Sequence, residues 1–225
     1  MRSILIAPSI LTADFGRLEE AARAGEAAGV DLWHLDVMDG HFVPAITFGA
    51  SVVEVFRRAS TLPIEVHLMV ANPADQLRPF AEAGVRRLIF HHEAGTGAAE
   101  SAALLEATRA LGCERGIAIS PETPVAAIEG LLADLEQVTV MLIQPGRGGQ
   151  PMMPELLEKV RALRALIDAR GLATRIEVDG GVKASNVASC LAAGAHIAVA
   201  GSAVYNEAQT PPEAVAALDA ALALA

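Results

Sequence analysis

Aromatic side chains are scarce, 4% of 225 residues, so stacking on nucleic-acid bases is not this chain's main business. Cationic side chains are in deficit too: 17 Lys+Arg face 27 Asp+Glu, a net charge of −10 at pH 7. Neutralising a phosphate backbone needs clustered cations, and so does docking on anionic lipid, which argues against nucleic-acid and membrane partners. Cysteine is nearly missing. Cys113 and Cys190 are isolated, which excludes a disulfide framework and makes a reducing cytoplasm the expected setting. No apolar run approaches the roughly 18 residues that span a bilayer. Pro8 interrupts the first apolar run too early for a secretory signal. No linker, low-complexity stretch or shift in composition divides the chain, so residues 1–225 are read as one domain.

What is present is an alternation of two patterns. Apolar or β-branched runs stand at 4–8, 31–37, 63–69, 86–91, 115–119, 138–143, 174–178 and 196–200. Each precedes an Ala/Leu/Glu/Arg-rich stretch with helical spacing, at 15–28, 50–59, 73–83, 98–111, 124–134, 154–170, 185–193 and 212–224. The repeat averages about 28 residues, the size of a βα unit in a parallel sheet. Pro73, Pro124 and Pro211 follow Asn72, Thr123 and Thr210, a polar cap before a first helical proline. Gly29, Gly84, Gly112, Gly171 and Gly194 follow helical stretches and suit left-handed caps. Eight units predict an α/β fold, a single (βα)8 barrel. A doubly wound open sheet is the weaker alternative, because the first turn, Pro8 to Leu11, holds no glycine and no G-x-G-x-x-G follows the first run.

In a parallel barrel the chemistry sits at the C-terminal ends of strands. Two-residue alternation puts His34, Asp36 and Met38 on one face, and Glu65, His67 and Met69 on one face of the next strand. The residues between them, Leu35, Val37, Val66 and Leu68, are apolar and suit contact with outer helices. Polar groups inside a barrel need compensation. His34, Asp36, His67 and Asp179 form an N/O set suited to one divalent ion, zinc first, with iron, manganese or cobalt as alternatives. The plain alternative is a hydrogen-bonded polar core. His196 opens a strand at the far end and reads as structural. His91-His92 closes the fourth run, where one side chain can face the site, and His41 in the loop after the second run carries no assignment.

Glycine marks a second feature. Gly180-Gly181 follows the seventh run and Gly201-Ser202 the eighth, and such turns present backbone N–H groups to a phosphate. The segment Gln144 to Pro151, with Gly146, Arg147, Gly148 and Gly149, reads as a loop that closes over the site. The lysines are only Lys159 and Lys183, on a helix and in a loop. A decarboxylase or aldolase that wants a lysine inside its barrel is therefore a weak reading.

These segments together resemble the ribulose-phosphate 3-epimerase family over nearly the whole length. The resemblance is carried by Ile6 to Leu11, Ala13 to Phe15, the unbroken His34 to Pro44, Ile46 to Gly49, His67 to Met69, Pro145-Gly146 with Gly148 to Gln150, Glu177 to Gly181, and Ala200 to Ala203. It implies a TIM-barrel catalytic domain over residues 1–225 and an isomerase of the pentose phosphate pathway. The reaction implied interconverts D-ribulose 5-phosphate and D-xylulose 5-phosphate at C3 through an enediolate that one divalent metal stabilises. It also implies His34, Asp36, His67 and Asp179 as metal ligands, with Asp36 and Asp179 as the acid/base pair. Ser9, His67, Met38, Met69 and Met141 would contact the sugar. Gly180, Gly181, Gly201 and Ser202 would take the phosphate, and Gly146, Arg147, Gly148 and Gly149 would cover it. A homo-oligomer is the expected assembly. Three positions depart from the family pattern: Leu142 replaces a small hydroxyl residue, Arg147 a phenylalanine and Ala45 an asparagine. The altered loop at 142 and 147 keeps open a sister 3-epimerase acting on another ketose phosphate, such as allulose 6-phosphate or a tetrulose phosphate.

Overall fold

The computed structural model describes residues 2–95 and 97–224. Eight strands among the described residues lie within a residue or two of the apolar runs. They are β1 (Leu5–Ala7), β2 (Trp33–Met38), β3 (Ile64–Met69), β4 (Arg87–His91), β5 (Glu114–Ile119), β6 (Gln137–Met141), β7 (Arg175–Asp179) and β8 (Ile197–Val199). All pairings are parallel, and each strand pairs with its sequence neighbour, with β8 returning to β1. The remaining seam, between β1 and β2, is joined by a parallel bridge from Ser9 to His34 and a His34 N–H bond to the Pro8 carbonyl. The result is a (βα)8 barrel.

Helices α1 (Leu18–Ala28), α2 (Ser51–Ala59), α3 (Ala74–Glu82), α4 (Ala98–Ala110), α5 (Leu157–Ala169), α6 (Val187–Ala192), α7 (Gly201–Val204) and α8 (Pro211–Ala223) follow strands around the ring. Thr210 forms a capping box with Glu213, and Pro211 starts α8. Gly29, Gly84, Gly112, Gly171 and Gly194 all adopt positive φ past helix ends, as their positions predict.

The expected helix over 124–134 is not an α-helix. Two 3-10 segments, Val125–Ala127 and Glu129–Asp134, stand there instead. Pro124 has extended backbone with ψ 151, and Gly130 adds backbone entropy mid-run, so a continuous helix does not propagate. Pro73 likewise sits one residue ahead of its expected place, capping α3 rather than opening it. The sixth strand stops at Met141, so Leu142 and Ile143 lie past its end.

The outward faces of the strands pack on the helices in one large apolar core. Trp33, fully buried, meets Phe56 of α2 edge-on at 5.1 Å and donates its indole N–H to Ser60 Oγ at 2.8 Å. Burying an aromatic of this kind contributes about 1.5–3 kcal/mol. The inward faces are different. His34, Asp36, Glu65, His67, Arg87, His91, Gln137, Thr139 and Glu177 are all buried, and a barrel interior this polar must pair them.

Candidate active site

The register carries the polar residues to one level. His34 pairs with Glu65, and Asp36 pairs with His67, across β2 and β3. Asp179 ends β7 beside Met141 of β6. His67 Nδ1 lies 3.0 Å from Asp36 Oδ1 and 3.6 Å from Asp179 Oδ2. His34 Nε2 lies 3.3 Å from Asp36 Oδ1 and 4.0 Å from Asp179 Oδ2. One ligand atom from each of these four residues falls within 4.8 Å of the others. Tetrahedral bonds of 2.0–2.1 Å place ligand atoms about 3.3 Å apart, so the spacing is of the right order for a single ion.

The donor set can hold one. His34 Nε2 is fully buried, faces the cluster and has no hydrogen-bond partner among the described residues. Its other nitrogen, Nδ1, is 2.9 Å from Glu65 Oε1. A carboxylate that takes the Nδ1 proton leaves Nε2 with a free lone pair, the usual support for a metal-binding histidine. Glu65 in turn accepts from Arg87 Nη1 at 2.6 Å and Gln137 Nε2 at 3.2 Å. Thr139 donates to Glu177 at 2.8 Å.

Charge explains the titration behaviour. Burial alone raises the Asp36 pKa, but the charge of His34, 3.3 Å away, and the hydrogen bond from His67 outweigh it, and the carboxyl lies well below its usual range. Burial lowers the His67 pKa, yet the Asp179 carboxylate at 3.6 Å and the hydrogen bond to Asp36 prevail and push it up to about 9. Burial and the Glu65 charge push the Glu177 pKa up to about 8, so this acid holds a proton at neutral pH.

A cleft above the cluster brings together most of the expected site. Ser9, Asp36, Gly148, Gly149, Asp179, Gly180, Gly181, Gly201 and Ser202 line it, with Leu11, Thr12, Ile143, Val182 and Val199. The Ser9 hydroxyl donates to Asp36 Oδ2. Glycine is required at 181. Its φ is +65, and a Cβ there would stand 2.3 Å from Met152 N. Met38 and Met69 form a buried apolar cluster with Val43, and Met141 is buried beside Asp179. Gly146, at φ +75, packs against Val43 instead of lining the cleft. Arg147 is exposed and lines a separate groove with Phe42, Pro44 and Ser120. Leu142 is fully buried in the outer core. Larger clefts open at the opposite, N-terminal end of the barrel around Arg87 and Arg175, away from the His/Asp cluster.

Three residues of the interior carry more than their sequence reading. Glu65 and Glu177 each stand two residues before a cluster member, the same-face spacing that could have marked them as its support. His91, fully buried, places Nε2 at 2.9 Å from His67 Nε2, and its Nδ1 lies 2.9 Å from Glu93 Oε2. His92 turns away to Ser101, and His196 serves the far end, accepting from Ile176 N at 3.0 Å. His41 stays in its loop, bonded to Asp39.

A parallel barrel with histidines, carboxylates and a glycine-lined cleft at the C-terminal ends of its strands defines a class, the (βα)8 barrels with a polar site at that end. Solved structures support the fold. A 3-hexulose-6-phosphate synthase superposes with a TM-score of 0.70 at 21% identity, covering 98% of this chain and 99% of that one. KGPDC from Streptococcus mutans gives 0.71 at 14% identity, covering 99% of each. Sequence is more specific. Residues 5–205 match the model of the ribulose-phosphate 3 epimerase family. Ribulose-phosphate 3-epimerase 1 of Cupriavidus necator is 46% identical over 91% of this chain and 86% of its own length. Ribulose-phosphate 3-epimerase of Escherichia coli K12 is 43% identical over 92% and 91%. The chain belongs to the ribulose-phosphate 3-epimerase family. It is an isomerase of carbohydrate metabolism. No helix among the described residues is long and apolar enough to cross a membrane.

Proposed function

We propose that the chain interconverts D-ribulose 5-phosphate and D-xylulose 5-phosphate, with Asp36 and Asp179 moving the proton at C3. One observation carries this reading. Two carboxylates from separate strands, β2 and β7, converge on the same His34/His67 cluster beneath the glycine-lined cleft. Inverting C3 requires a proton to leave one face of a planar enediolate and another to arrive on the opposite face, and two acids on separate strands can flank that plane.

His34, Asp36, His67 and Asp179 would hold one divalent cation, zinc before iron, manganese or cobalt by their N/O chemistry. When bound, the cation supplies positive charge against the negative charge that develops as C3 loses its proton. Ser9 holds Asp36 Oδ2 and so fixes which carboxylate oxygen faces the sugar. Asp36 removes the proton in one direction while Asp179 delivers one, and the roles exchange in reverse. Met38, Met69 and Met141 exclude water beside the reacting carbon. Gly180, Gly181, Gly201 and Ser202 receive the phosphate, which suits an acidic protein because backbone dipoles, not lysines, would bind it. The loop 146–149 closes over the sugar phosphate, with Gly148 and Gly149 already at the cleft.

A sister 3-epimerase reading rests on the altered loop at 142 and 147. Leu142 is packed away from the cleft and Arg147 lines another groove, so neither favours it. The test is metal analysis of the purified protein with kcat/KM on a panel of ketose phosphates. Greatest efficiency on D-ribulose 5-phosphate supports the proposal, and a larger value for a hexulose or tetrulose phosphate overturns it.

A further inference from the structure

We propose that His91 and Glu93 are positioning residues, a proton-ordering pair that holds the Nε2 proton of His67, so that Nδ1 is the nitrogen presented to Asp36 and Asp179 and the one that gives up its proton to a cation. The cluster of four ligand-type residues does not include either of them, and neither reaches the glycine-lined cleft.

The geometry is a line of three groups. His67 Nε2 faces His91 Nε2 at 2.9 Å, and His91 Nδ1 faces Glu93 Oε2 at 2.9 Å. Between two facing ring nitrogens one proton is needed, and its owner is set by whatever the far nitrogen of His91 does. Glu93 decides it. Its Oε1 accepts the Ser120 backbone N–H at 2.8 Å and the Thr123 hydroxyl, so the group is an ionised, acceptor-only carboxylate, and Oε2 takes the proton of His91 Nδ1. A neutral His91 then has a bare Nε2, which accepts from His67 Nε2–H. His67 Nδ1 is left as the nitrogen that faces the carboxylates at 3.0 and 3.6 Å.

The rest of the surroundings keeps this line straight. The His91 ring lies between His67, with centroids 4.9 Å apart and planes at 26°, and Phe42, at 4.8 Å and 44°. Glu93 cannot swing away, because the loop after β5 that grips it is itself gripped. Lys159 of α5 donates to the carbonyls of Ser120, Pro121 and Thr123 at 2.9, 2.8 and 2.8 Å. That is a physical task for a lysine which has no place in the barrel interior. His34 is ordered differently, its Nδ1 facing Glu65 Oε1 at 2.9 Å with Glu177 Oε1 next at 3.7 Å. The two histidines of the cluster therefore have separate supports, and the His67 support crosses from β3 through β4 to the loop after β5.

Glu93→Gln is the discriminating variant because it is nearly isosteric. Ser120 N–H and Thr123 hold the amide oxygen where Oε1 stands, so the amide nitrogen replaces Oε2 and donates to His91 Nδ1. That forces the His91 proton onto Nε2, turns the line around, and puts the His67 proton on Nδ1, the wrong nitrogen. The expected result is a tenfold to hundredfold loss of zinc affinity by chelator competition, with secondary structure retained. Long-range 1H–15N NMR of histidine-labelled wild-type protein reads the proposal without any variant: His91 is protonated at Nδ1 alone, in metal-free and zinc-loaded protein alike. His91 protonated at Nε2, or at both nitrogens, overturns the proposal, and so does a Glu93→Gln protein that binds zinc like wild type. A purely structural role for Glu93 would lower Tm while leaving zinc affinity and the tautomers unmoved. The ordering of His67 rests on the metal reading for its purpose, but the metal-free tautomer of His91 does not. Failure of the metal site and failure of the proton ordering are thus separable.

Discussion

His34 Nδ1 stands 2.9 Å from Glu65 Oε1, deep in the barrel where neither residue meets solvent. Glu65 is the hinge of the polar interior, since the same carboxylate also receives Arg87 at 2.6 Å. Removing it leaves Arg87 with Glu114 as its remaining carboxylate partner, unpairs Nη1, and takes the support from the imidazole. Glu65→Ala should therefore destabilise the protein by about 1–3 kcal/mol, the cost of leaving buried donors unpaired. Denaturant unfolding of the metal-free protein measures it, and a loss under about 1 kcal/mol, the range of an exposed pair, would show that water or another acid replaces the carboxylate.

Asp36 and Asp179 carry the proposed proton transfers, so Asp36→Asn and Asp179→Asn should each lower kcat by about 10²–10⁴-fold or more. Turnover is followed by coupling the xylulose phosphate product to a second enzyme, and C3 deuterium uptake from D2O reads the proton step itself. A variant that epimerises at a near-wild-type rate would refute the two-base assignment. Chelation belongs with this pair: activity should vanish with the metal and return with a divalent ion.

Much of this was legible in the chain, for definite reasons. Apolar runs bounded by caps and glycines mark β2, β3 and β4 to within two residues, because strands buried on both faces must be continuous and short. His34 and Asp36 announce themselves by alternation, since polar groups on an inward face have few plain reasons to be there. The segment 124–134 misleads because its composition is helical, while Pro124 and Gly130 decide the backbone. His91 is ambiguous beside His92, because adjacent histidines point to opposite sides and only the position of β4 against β3 says which one meets His67. The departure at Leu142 reads as a change in the site, whereas the sixth strand ends one residue earlier and turns that side chain into the core.

Gly181 gives a test of the rim. At φ +65 an alanine pays for the left-handed backbone with about 1–2 kcal/mol, and its Cβ would meet Met152 N at 2.3 Å and Gln150 O at 2.8 Å. Gly181→Ala should push the loop 146–149 side of the cleft outward and raise KM for the sugar phosphate more than it lowers kcat. Unchanged KM would place the phosphate elsewhere.

Arg147 lies outside the cleft, exposed beside Phe42 and Pro44. Arg147→Phe should then leave kcat/KM within about twofold on every ketose phosphate tested, since a solvated side chain contributes little. A selective loss on one substrate would mean that loop closure brings the guanidinium to the sugar.

The His67 proton makes a prediction about pH. The Asp179 carboxylate and the hydrogen bond to Asp36 overcome burial and hold its pKa at about 9 in the folded metal-free protein, against 6.5 for an unperturbed imidazole. A raised pKa means the folded state binds this proton more tightly than the unfolded chain does. The associated stability is complete below pH 6.5 and is lost as pH rises through about 9. Metal-free protein should accordingly show a falling Tm between pH 6.5 and about 9. Zinc-loaded protein should not, because a ligating Nδ1 carries no proton to lose, and loading should release protons at neutral pH. Calorimetry at the two pH values, with and without chelator, checks the first statement, and zinc titration in two buffers of different ionisation enthalpy checks the second. A metal-free Tm that is level across this window would mean that His67 is already neutral before any cation binds, and that Asp36 and Asp179 meet it as a hydrogen-bond partner rather than as a cation.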